Sequence, residues 1–284
     1  MLFHRALAVA PLVLLLSGPA LAEEEEVVSS EVVTSESIDE EMPRDLVIVE
    51  ADVDPIREQL ALIANPLMPE ERAQRLFDQF IARREEILPT VAAVYRDAGS
   101  SDMETWVAAR ILGRIGGKPA MRTLMAGVDS PRIITRLGAV SGLGLLAEKE
   151  SAQALEKALF DKAATVRAYA ADALAVMQNR SSAVALSDAL NLPANFFRGK
   201  SMFVRRHIIE ALGEVGSIQA IDVLIDTLQD PEPDLSIAAS TALTKITGTT
   251  FRDPTIPPEA APTQSEIAQW KSWWSVRRVG DSVE

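Results

Sequence analysis

The chain has 284 residues, a formal net charge of −13 at pH 7, two histidines and no cysteine. The missing cysteine excludes disulfides, thiolate nucleophiles and cysteine-ligated zinc, so stability must come from an apolar core. The negative charge argues against a nucleic-acid partner, because no basic stripe is present to meet the phosphates.

The N-terminus has the three parts of a secretory signal peptide. Arg5 supplies the positive charge, residues 6–16 form an apolar stretch, and Ala20 and Ala22 supply the small residues that precede a cleavage site. The stretch is shorter than the roughly 18 residues of a membrane span. We therefore predict a signal peptide over 1–22, cleavage after Ala22, a periplasmic or secreted location, and no integral membrane segment after cleavage. The absence of cysteine favours a bacterial periplasm.

The next segment, 23–54, carries most of the negative charge. It contains 13 acidic residues and one arginine, whereas residues 55–284 have a net charge of only −2. A like-charged, aromatic-poor segment predicts an acidic disordered tail. The tail either keeps the protein soluble or docks on a basic partner.

Residues 55–103 predict an N-terminal helical cap. Two or three helices fit residues 55–64 and 69–98, with Pro66 and Pro69 in the turn between the first two. Their apolar positions do not follow the periodic columns found further along the chain. We interpret this part as a cover for the first repeat, or as decayed repeats.

An internal repeat dominates residues 104–250. Small or apolar residues recur four residues before, one before and three after an anchor leucine, which is the stripe of a helix buried along one face. The anchors are spaced by 31, 31, 38 and 31 residues: Leu112, Leu143, Leu174, Leu212 and Leu243. A fixed period of this length predicts a solenoid, which presents an extended surface.

A second leucine column follows twelve residues after each of the first four anchors. It comprises Leu124, Leu155, Leu186 and Leu224, and it marks a second helix in each repeat. A single helix pair cannot bury both of its faces, so the pairs must stack. The predicted fold is an all-α, right-handed α-solenoid of about five helix pairs with a period of about 31 residues.

The repeat motif has a family resemblance. Residues 161–174 carry an Asp, then Val-Arg, then an Ala-rich helix ending in Ala-Leu, and residues 204–216 contain Val-Arg followed by Ala-Leu-Gly. This pattern resembles the HEAT-like repeat of the phycobilisome-lyase type, over about residues 104–250. The fifth repeat departs from it, with Ser236 in place of the arginine and Thr255 in the second leucine column.

An arginine ladder accompanies the repeats. Arg136, Arg167 and Arg205 each precede their anchor by seven residues, and Asp129, Asp161 and Asp230 lie in turns before helices. We predict that the aspartates cap helices and that the arginines tie adjacent repeats together. A ladder that binds phosphates or acidic peptides is the alternative.

The 38-residue interval adds seven residues between repeats three and four. The segment 191–200 accommodates them, and insertions in repeat proteins often lie on the binding face. Its candidate partner-binding residues are Phe196, Phe197, Arg198 and Lys200. Alternatively, one or both phenylalanines fold back over the junction of repeats three and four.

A Pro-rich linker, 251–263, precedes a Trp-rich segment, 264–284. Ile267, Trp270 and Trp274 share one helical face, so this helix is predicted to cap the last repeat. The arrangement is similar to the ends of exported bacterial HEAT-repeat proteins. Trp270, Trp273 and Trp274 are also candidates for contact with a membrane surface or glycan in the cell envelope.

No catalytic, cofactor or metal site is predicted. We interpret His207 as a surface or groove residue of its helix, and no Gly-rich phosphate loop follows a strand. The sequence favours a non-enzymatic periplasmic scaffold that binds an unidentified protein partner, in a groove formed by the second helices. An envelope-binding structural protein is the alternative. The resemblance also implies a third reading, a bilin lyase-like enzyme, against which the signal peptide argues.

Overall fold

The computed structural model describes residues 54–280, so the predicted signal peptide and nearly all of the acidic tail lie outside the described residues. Three helices precede the repeats: α1 (Pro55–Ile63), α2 (Glu70–Ile81) and α3 (Leu88–Arg96). Asp54 caps α1 by accepting a hydrogen bond from the backbone N–H of Ile56. Helix α3 packs against the first helix of the repeat array, which covers that end of the stack.

Helix pairs form the array itself. The first helices of the five repeats are α4 (Asp102–Ile115), α6 (Ile133–Leu146), α8 (Ala164–Met177), α10 (Val204–Val215) and α12 (Pro233–Thr247). The second helices are α5 (Gly117–Gly127), α7 (Ala152–Ala158), α9 (Ala183–Leu190) and α11 (Ile221–Thr227). The last helix, α13 (Gln264–Gly280), packs on α11. Within residues 54–280 the only strands are β1 (Phe196–Phe197) and β2 (Lys200–Ser201).

Both leucine columns lie in one continuous core. All five anchor leucines and all four leucines of the second column are fully buried. Each such side chain stabilises the fold by about 1.5 to 3 kcal/mol relative to exposure. The all-α array of stacked helix pairs predicted from these columns is thereby confirmed.

The first helices stack directly on one another, with backbone close to backbone. A Cβ added to Gly113 would lie 2.5 Å from the carbonyl oxygen of Gly142, and one added to Gly142 would lie 2.7 Å from that of Ala109. Gly144 is similarly tight against Ala173. The second helices pack mainly against first helices rather than against one another. The row of first helices is therefore the more closely spaced side of the array.

The helix ends follow ordinary capping chemistry. Helix α4 begins with a capping box, in which Ser101 accepts from the backbone N–H of Glu104 and the Glu104 carboxylate accepts from that of Ser101. Helix α10 ends at Gly216, whose left-handed conformation (φ 68°) suits glycine. Left-handed residues likewise follow α6, α8 and α12, at Ala147, Gln178 and Gly248.

Substituting Gly142 by alanine tests the close approach of α4 and α6. Alanine raises helix propensity by about 1 kcal/mol, yet its methyl group would collide with backbone and with Leu124. We expect a net loss of about 1–3 kcal/mol in the free energy of unfolding, measured by urea denaturation. The control is Ser141→Ala on the partly exposed side of the same helix, which should change little. Equal stability of the two variants would contradict the packing described.

Candidate binding surface

The arginine ladder is buried and structural. Arg136 donates from Nε and Nη2 to the two carboxylate oxygens of Asp161, at 2.7 and 3.1 Å. Arg205 lies 2.7 Å from Asp230, and both pairs are almost inaccessible to solvent. Asp161 also accepts from the backbone N–H of Ala163 at the start of α8. Removing one member of such a pair costs about 3–5 kcal/mol, and the ladder has no free edge for a ligand.

The rung of the third repeat uses a neutral acceptor. Arg167 donates to the side-chain oxygen of Asn195 at 2.8 Å and to the carbonyl oxygen of Ala194 at 2.6 Å. Asn195 is fully buried and donates in turn to the carbonyl oxygen of Ala189. Burial lowers the pKa of Arg167, with Asp161 opposing the change. These bonds clamp the base of the seven-residue insertion to α8.

The insertion folds as a short antiparallel hairpin of β1 and β2. The turn residues Arg198 and Gly199 have φ values of 51° and 75°, which is the left-handed pair of a tight two-residue hairpin turn. The backbone N–H of Ser201 donates to the Glu232 carboxylate at 2.7 Å, just before α12. The hairpin is therefore tied to the repeats on both sides of it.

The two phenylalanines of the hairpin have different environments. Phe196 is half-buried, and the Arg205 guanidinium lies 4.8 Å from its ring centroid. Phe197 is 60% exposed and carries the Arg198 guanidinium at 5.2 Å from its ring. Phe196 thus belongs to the junction of repeats three and four, while Phe197 faces solvent. Phe196 therefore agrees with the alternative of a ring folded back over the junction, whereas Phe197 stays exposed.

A surface cluster surrounds Phe197. We call Phe197, Arg198, Lys200 and Phe203 the hairpin patch; together with Ser201 and Met202 they line a cavity of about 540 Å³. Phe203, at the start of α10, is 46% exposed. Exposed aromatic rings beside cations on an ordered base are the features of an interface anchor.

In the C-terminal helix, the structure corrects the prediction that Trp270 is available to a partner. Trp270 is fully buried, with its ring edge-on to Phe251 at a centroid distance of 4.8 Å, so it is core and not available to a partner. Next to it, the buried Glu266 accepts a hydrogen bond from Ser240 of α12 at 2.7 Å. The helix caps the array because its apolar face meets the last repeat.

Trp273 and Trp274 are half-buried and have partners within the chain. Their rings stack with centroids 6.2 Å apart, and the Arg277 guanidinium lies 4.1 Å from the Trp273 ring. The indole N–H of Trp274 donates to Asp222 of α11 at 2.8 Å. These contacts tie the helix laterally to α11 and account for both rings.

A groove lies between the first helices α10 and α12, where we had expected the second helices to form it. Its volume is about 360 Å³, and its floor includes Gly213 and Ala242, whose small size lets the helices approach closely. An ion pair of Lys245 with Glu214 crosses the groove, and Arg206 pairs with Glu210 within α10. This groove lies on the first-helix face, by which we mean the solvent side of α4, α6, α8, α10 and α12.

A cluster on the first-helix face escaped the sequence analysis. Trp106 of α4 and Tyr169 of α8 meet edge to face at 5.8 Å, reaching across α6. The Arg110 guanidinium lies 5.7 Å from the centroid of the Trp106 ring. Burial raises the pKa of Tyr169 and lowers the pKa of Arg110. No feature of the sequence pointed to this pair, because the two residues occupy different positions of repeats one and three.

His207 joins this face to the hairpin patch. Its Nδ1 lies 2.8 Å from the Asp172 carboxylate of α8, and its ring meets Phe203 edge to face at 5.9 Å. The hydrogen bond to Asp172 raises the pKa of His207 most, while burial opposes the rise. The sequence interpretation of His207 as a groove residue agrees with this position.

Within residues 54–280 no group of three or more histidine and carboxylate side chains is arranged to hold a metal ion. None of the helices in that same range is both long and apolar enough to cross a membrane.

Comparison with known proteins identifies the repeats. Residues 197–280 match a family model described as HEAT repeats. No curated protein sequence matches the chain. The structure of the CpcE–CpcF complex of phycocyanin lyase from Nostoc sp. PCC7120 is similar, with a TM-score of 0.50 and 23% identity. That match covers 57% of this chain and 65% of the other, which is less than two thirds of its length.

Two further solved structures have lower TM-scores. Human deoxyhypusine hydroxylase in complex with glycerol gives 0.34 at 15% identity, covering 68% of this chain and 96% of that one. An engineered protein gives 0.44 at 18% identity, covering 68% and 89%. The family match and the CpcE–CpcF likeness together confirm the HEAT-like repeat fold.

The contact between His207 and Asp172 predicts a pH-dependent stability. Because the pKa of His207 lies above its ordinary value of 6.5, this contact stabilises the folded state at low pH and loses that effect as the pH rises through the folded-state pKa. The loss of unfolding free energy in His207→Gln should be larger at about pH 5.5 than at about pH 8.5. Neighbouring Glu210 favours the charged imidazole and Arg206 opposes it.

The control for that pH experiment is Lys157→Gln on α7, whose exposed ion pair with Asp129 involves none of the groups that shift the pKa of His207. Its effect should be small and nearly the same at both pH values. A His207→Gln effect that is equal at both pH values would show that the imidazole contact does not contribute to folding.

Proposed function

We propose that this protein is a non-enzymatic scaffold, exported from the cytoplasm, that binds a protein partner through its first-helix face and hairpin patch. The observation that carries the proposal is the hairpin patch, where Phe197 and Phe203 are held exposed on an otherwise regular array. HEAT repeats suggest a protein-interaction scaffold in general, and this patch gives the scaffold a specific anchor.

The hairpin patch is preorganised, which favours binding. Asn195 accepts from buried Arg167 on one side of the insertion, and the backbone N–H of Ser201 donates to Glu232 on the other. A loop ordered before binding loses less conformational entropy on association. Exposed apolar rings on such a base are better explained by a partner than by folding, since neither ring is needed to fill the core.

The likeness to phycocyanin lyase subunits supports a shared fold and carries no activity to this chain. The match is at 23% identity and covers only part of the other chain. A lyase-type function has no further observation in its favour among the described residues. Pigment transfer to an acceptor protein on coexpression is the result that would favour it.

The envelope-binding alternative is weakened by the C-terminal helix. It depended on three tryptophans, of which Trp270 is buried and Trp274 is hydrogen-bonded to Asp222. A protein partner at the hairpin patch needs neither residue. We therefore place the partner on the array and assign α13 the role of a cap.

Export is the second part of the proposal, and it is based on the N-terminal sequence. N-terminal sequencing of protein recovered from the periplasm of a bacterial host should begin at Glu23. Replacing Ala22 by lysine should leave the precursor uncleaved. Recovery of the intact chain beginning at Met1 from the cytosol would contradict export and leave the scaffold proposal in place.

Partner binding is tested by in-cell crosslinking in the native host, followed by mass spectrometry. Replacing both Phe197 and Phe203 by alanine should reduce capture of a discrete partner at least about tenfold, because interface aromatic anchors contribute about 2 kcal/mol or more each. The matched control is Phe160→Ala, which removes another ring that is 50% exposed but lies away from the patch, after α7. Equal capture by both variants would reject the patch as the anchor.

A further inference from the structure

The hairpin patch carries positive charge that the described chain does not neutralise. Neither Arg198 nor Lys200 forms an ion pair within residues 54–280. The residues that line the cavity of about 540 Å³ are apolar, cationic or hydroxyl-bearing, with no carboxylate among them. The Glu232 carboxylate is engaged by the backbone N–H of Ser201. An occupant that complements this cavity is therefore both apolar and negatively charged.

Other exposed cations of the array lack this combination. Lys157 is paired with Asp129 at 2.6 Å. Arg114 and Lys118, where α4 passes into α5, are exposed and have no ion pair in the described part of the chain, but no aromatic ring lies against them there. The hairpin patch joins unpaired cations to two exposed rings, so it can hold an acidic and apolar segment by both kinds of contact.

The chain itself contains a segment of this chemistry. Residues 23–33, which lie outside the described residues, have the sequence Glu-Glu-Glu-Glu-Val-Val-Ser-Ser-Glu-Val-Val. They carry five glutamates and no basic residue, and each of the two valine pairs directly follows a glutamate. The remainder of the acidic segment, 34–53, contains Arg44 and no valine pair. Residues 23–33 are therefore the part that best matches the hairpin patch.

Residues 23–33 are long enough in sequence to reach the hairpin patch of their own chain. Helix α1 packs on α4, and three steps between stacked first helices lead from α4 to α10. At about 8–10 Å a step, the patch lies roughly 30 Å along the array. Val33 precedes Asp54 by 21 residues, and a chain of that length spans at most about 70 Å. A tethered segment meets its site at an effective concentration on the order of 1 mM, so a weak contact is sufficient.

We propose that residues 23–33 bind the hairpin patch of the same chain and cover it. Their glutamate carboxylates pair with Arg198 and Lys200. Their valines lie against Phe197 and Phe203, which removes apolar surface from water. The acidic segment is then an internal competitor that a protein partner must displace; this consequence rests on the proposed function, whereas the contact itself does not.

The test attaches a nitroxide spin label to Ser35→Cys, in the chain from Glu23 onward, and measures the broadening of backbone amide signals by NMR. The sequence has no cysteine, so this is the only labelling site, and it lies just outside residues 23–33. We expect the amide signals of residues 197–203 to broaden relative to the same sample with its nitroxide reduced.

Three variants make the test specific. Arg198→Gln combined with Lys200→Gln should abolish the broadening. The matched control, Arg114→Gln combined with Lys118→Gln, removes two exposed cations nearer the start of the array and should retain it. All four side chains are exposed, so the melting temperature should stay unchanged. Replacing the four valines of residues 23–33 by serine keeps every charge and should also reduce the broadening, because the apolar contact is lost.

The contact is overturned if residues 197–203 do not broaden, if both pairs of glutamine substitutions act equally, or if the serine variant broadens them fully. A further sample mixes spin-labelled chains lacking ¹⁵N with unlabelled ¹⁵N chains. Broadening in that mixture would place residues 23–33 on a second copy and reject the contact within one chain. The measurement contains no partner, so its failure is separable from failure of the scaffold proposal, which the crosslinking experiment decides.

Discussion

Buried arginines that reach from one repeat to the turn of the next are the interaction on which this array depends. Arg136, Arg167 and Arg205 each lie on a first helix, and each binds an acceptor that precedes the following first helix. An uncompensated guanidinium at these depths would cost several kcal/mol. The pairing therefore fixes how consecutive repeats sit, and the leucine core then fills the space that the pairing leaves. Where the acceptor is Asn195, the same interaction also anchors the hairpin.

The periodic part of the fold was predictable because burial and helical spacing act locally and repeatedly. Leu143 and Leu155 occupy the cores expected of a first and a second helix, since each column repeats the same environment. The arginine ladder was predicted from the same regularity, because its arginines also recur at a fixed position in the repeat. Structural features that occur in only one repeat could not be predicted. The hairpin depends on Asn195 replacing an aspartate, and a single substitution has no period to reveal it.

The candidate site was predictable only in part, for a related reason. An amphipathic tryptophan helix has the same pattern whether its apolar face meets a membrane or its own chain. The sequence therefore predicted a cap with Trp270 on its apolar face but left an envelope contact open, and the burial of Trp270 agrees with the cap. The Trp106 and Tyr169 contact joins residues two repeats apart, which no column of the repeat predicts. Phe197 was identified correctly as a residue of the insertion, but its difference from Phe196 depends on where Arg205 lies.

The charges of this protein divide into two groups with different meanings. The ladder arginines, and the Lys245 and Glu214 pair that crosses the α10–α12 groove, have their partners within the chain and hold the array together. Arg110, Arg198 and Lys200 lie beside aromatic rings or at the hairpin tip, and they describe what the surface presents. His207 and Asp172 lie between these two parts of the surface. Along the first-helix face, the contact of His207 with Asp172 thus lies between the cluster of Trp106 and Arg110 and the hairpin patch. Both of these contain aromatic rings and cations.

The backbone contact between first helices has a consequence for this face. Where Gly113 and Gly142 meet, no side chain stands between the helices, so no rotamer change can lengthen the step from one repeat to the next. The spacing between successive first helices is then fixed, and so is the distance from the hairpin patch to any other point on the first-helix face. A partner that contacts two such points must carry its own contact groups at a matching distance, so selectivity arises from length as well as from chemistry.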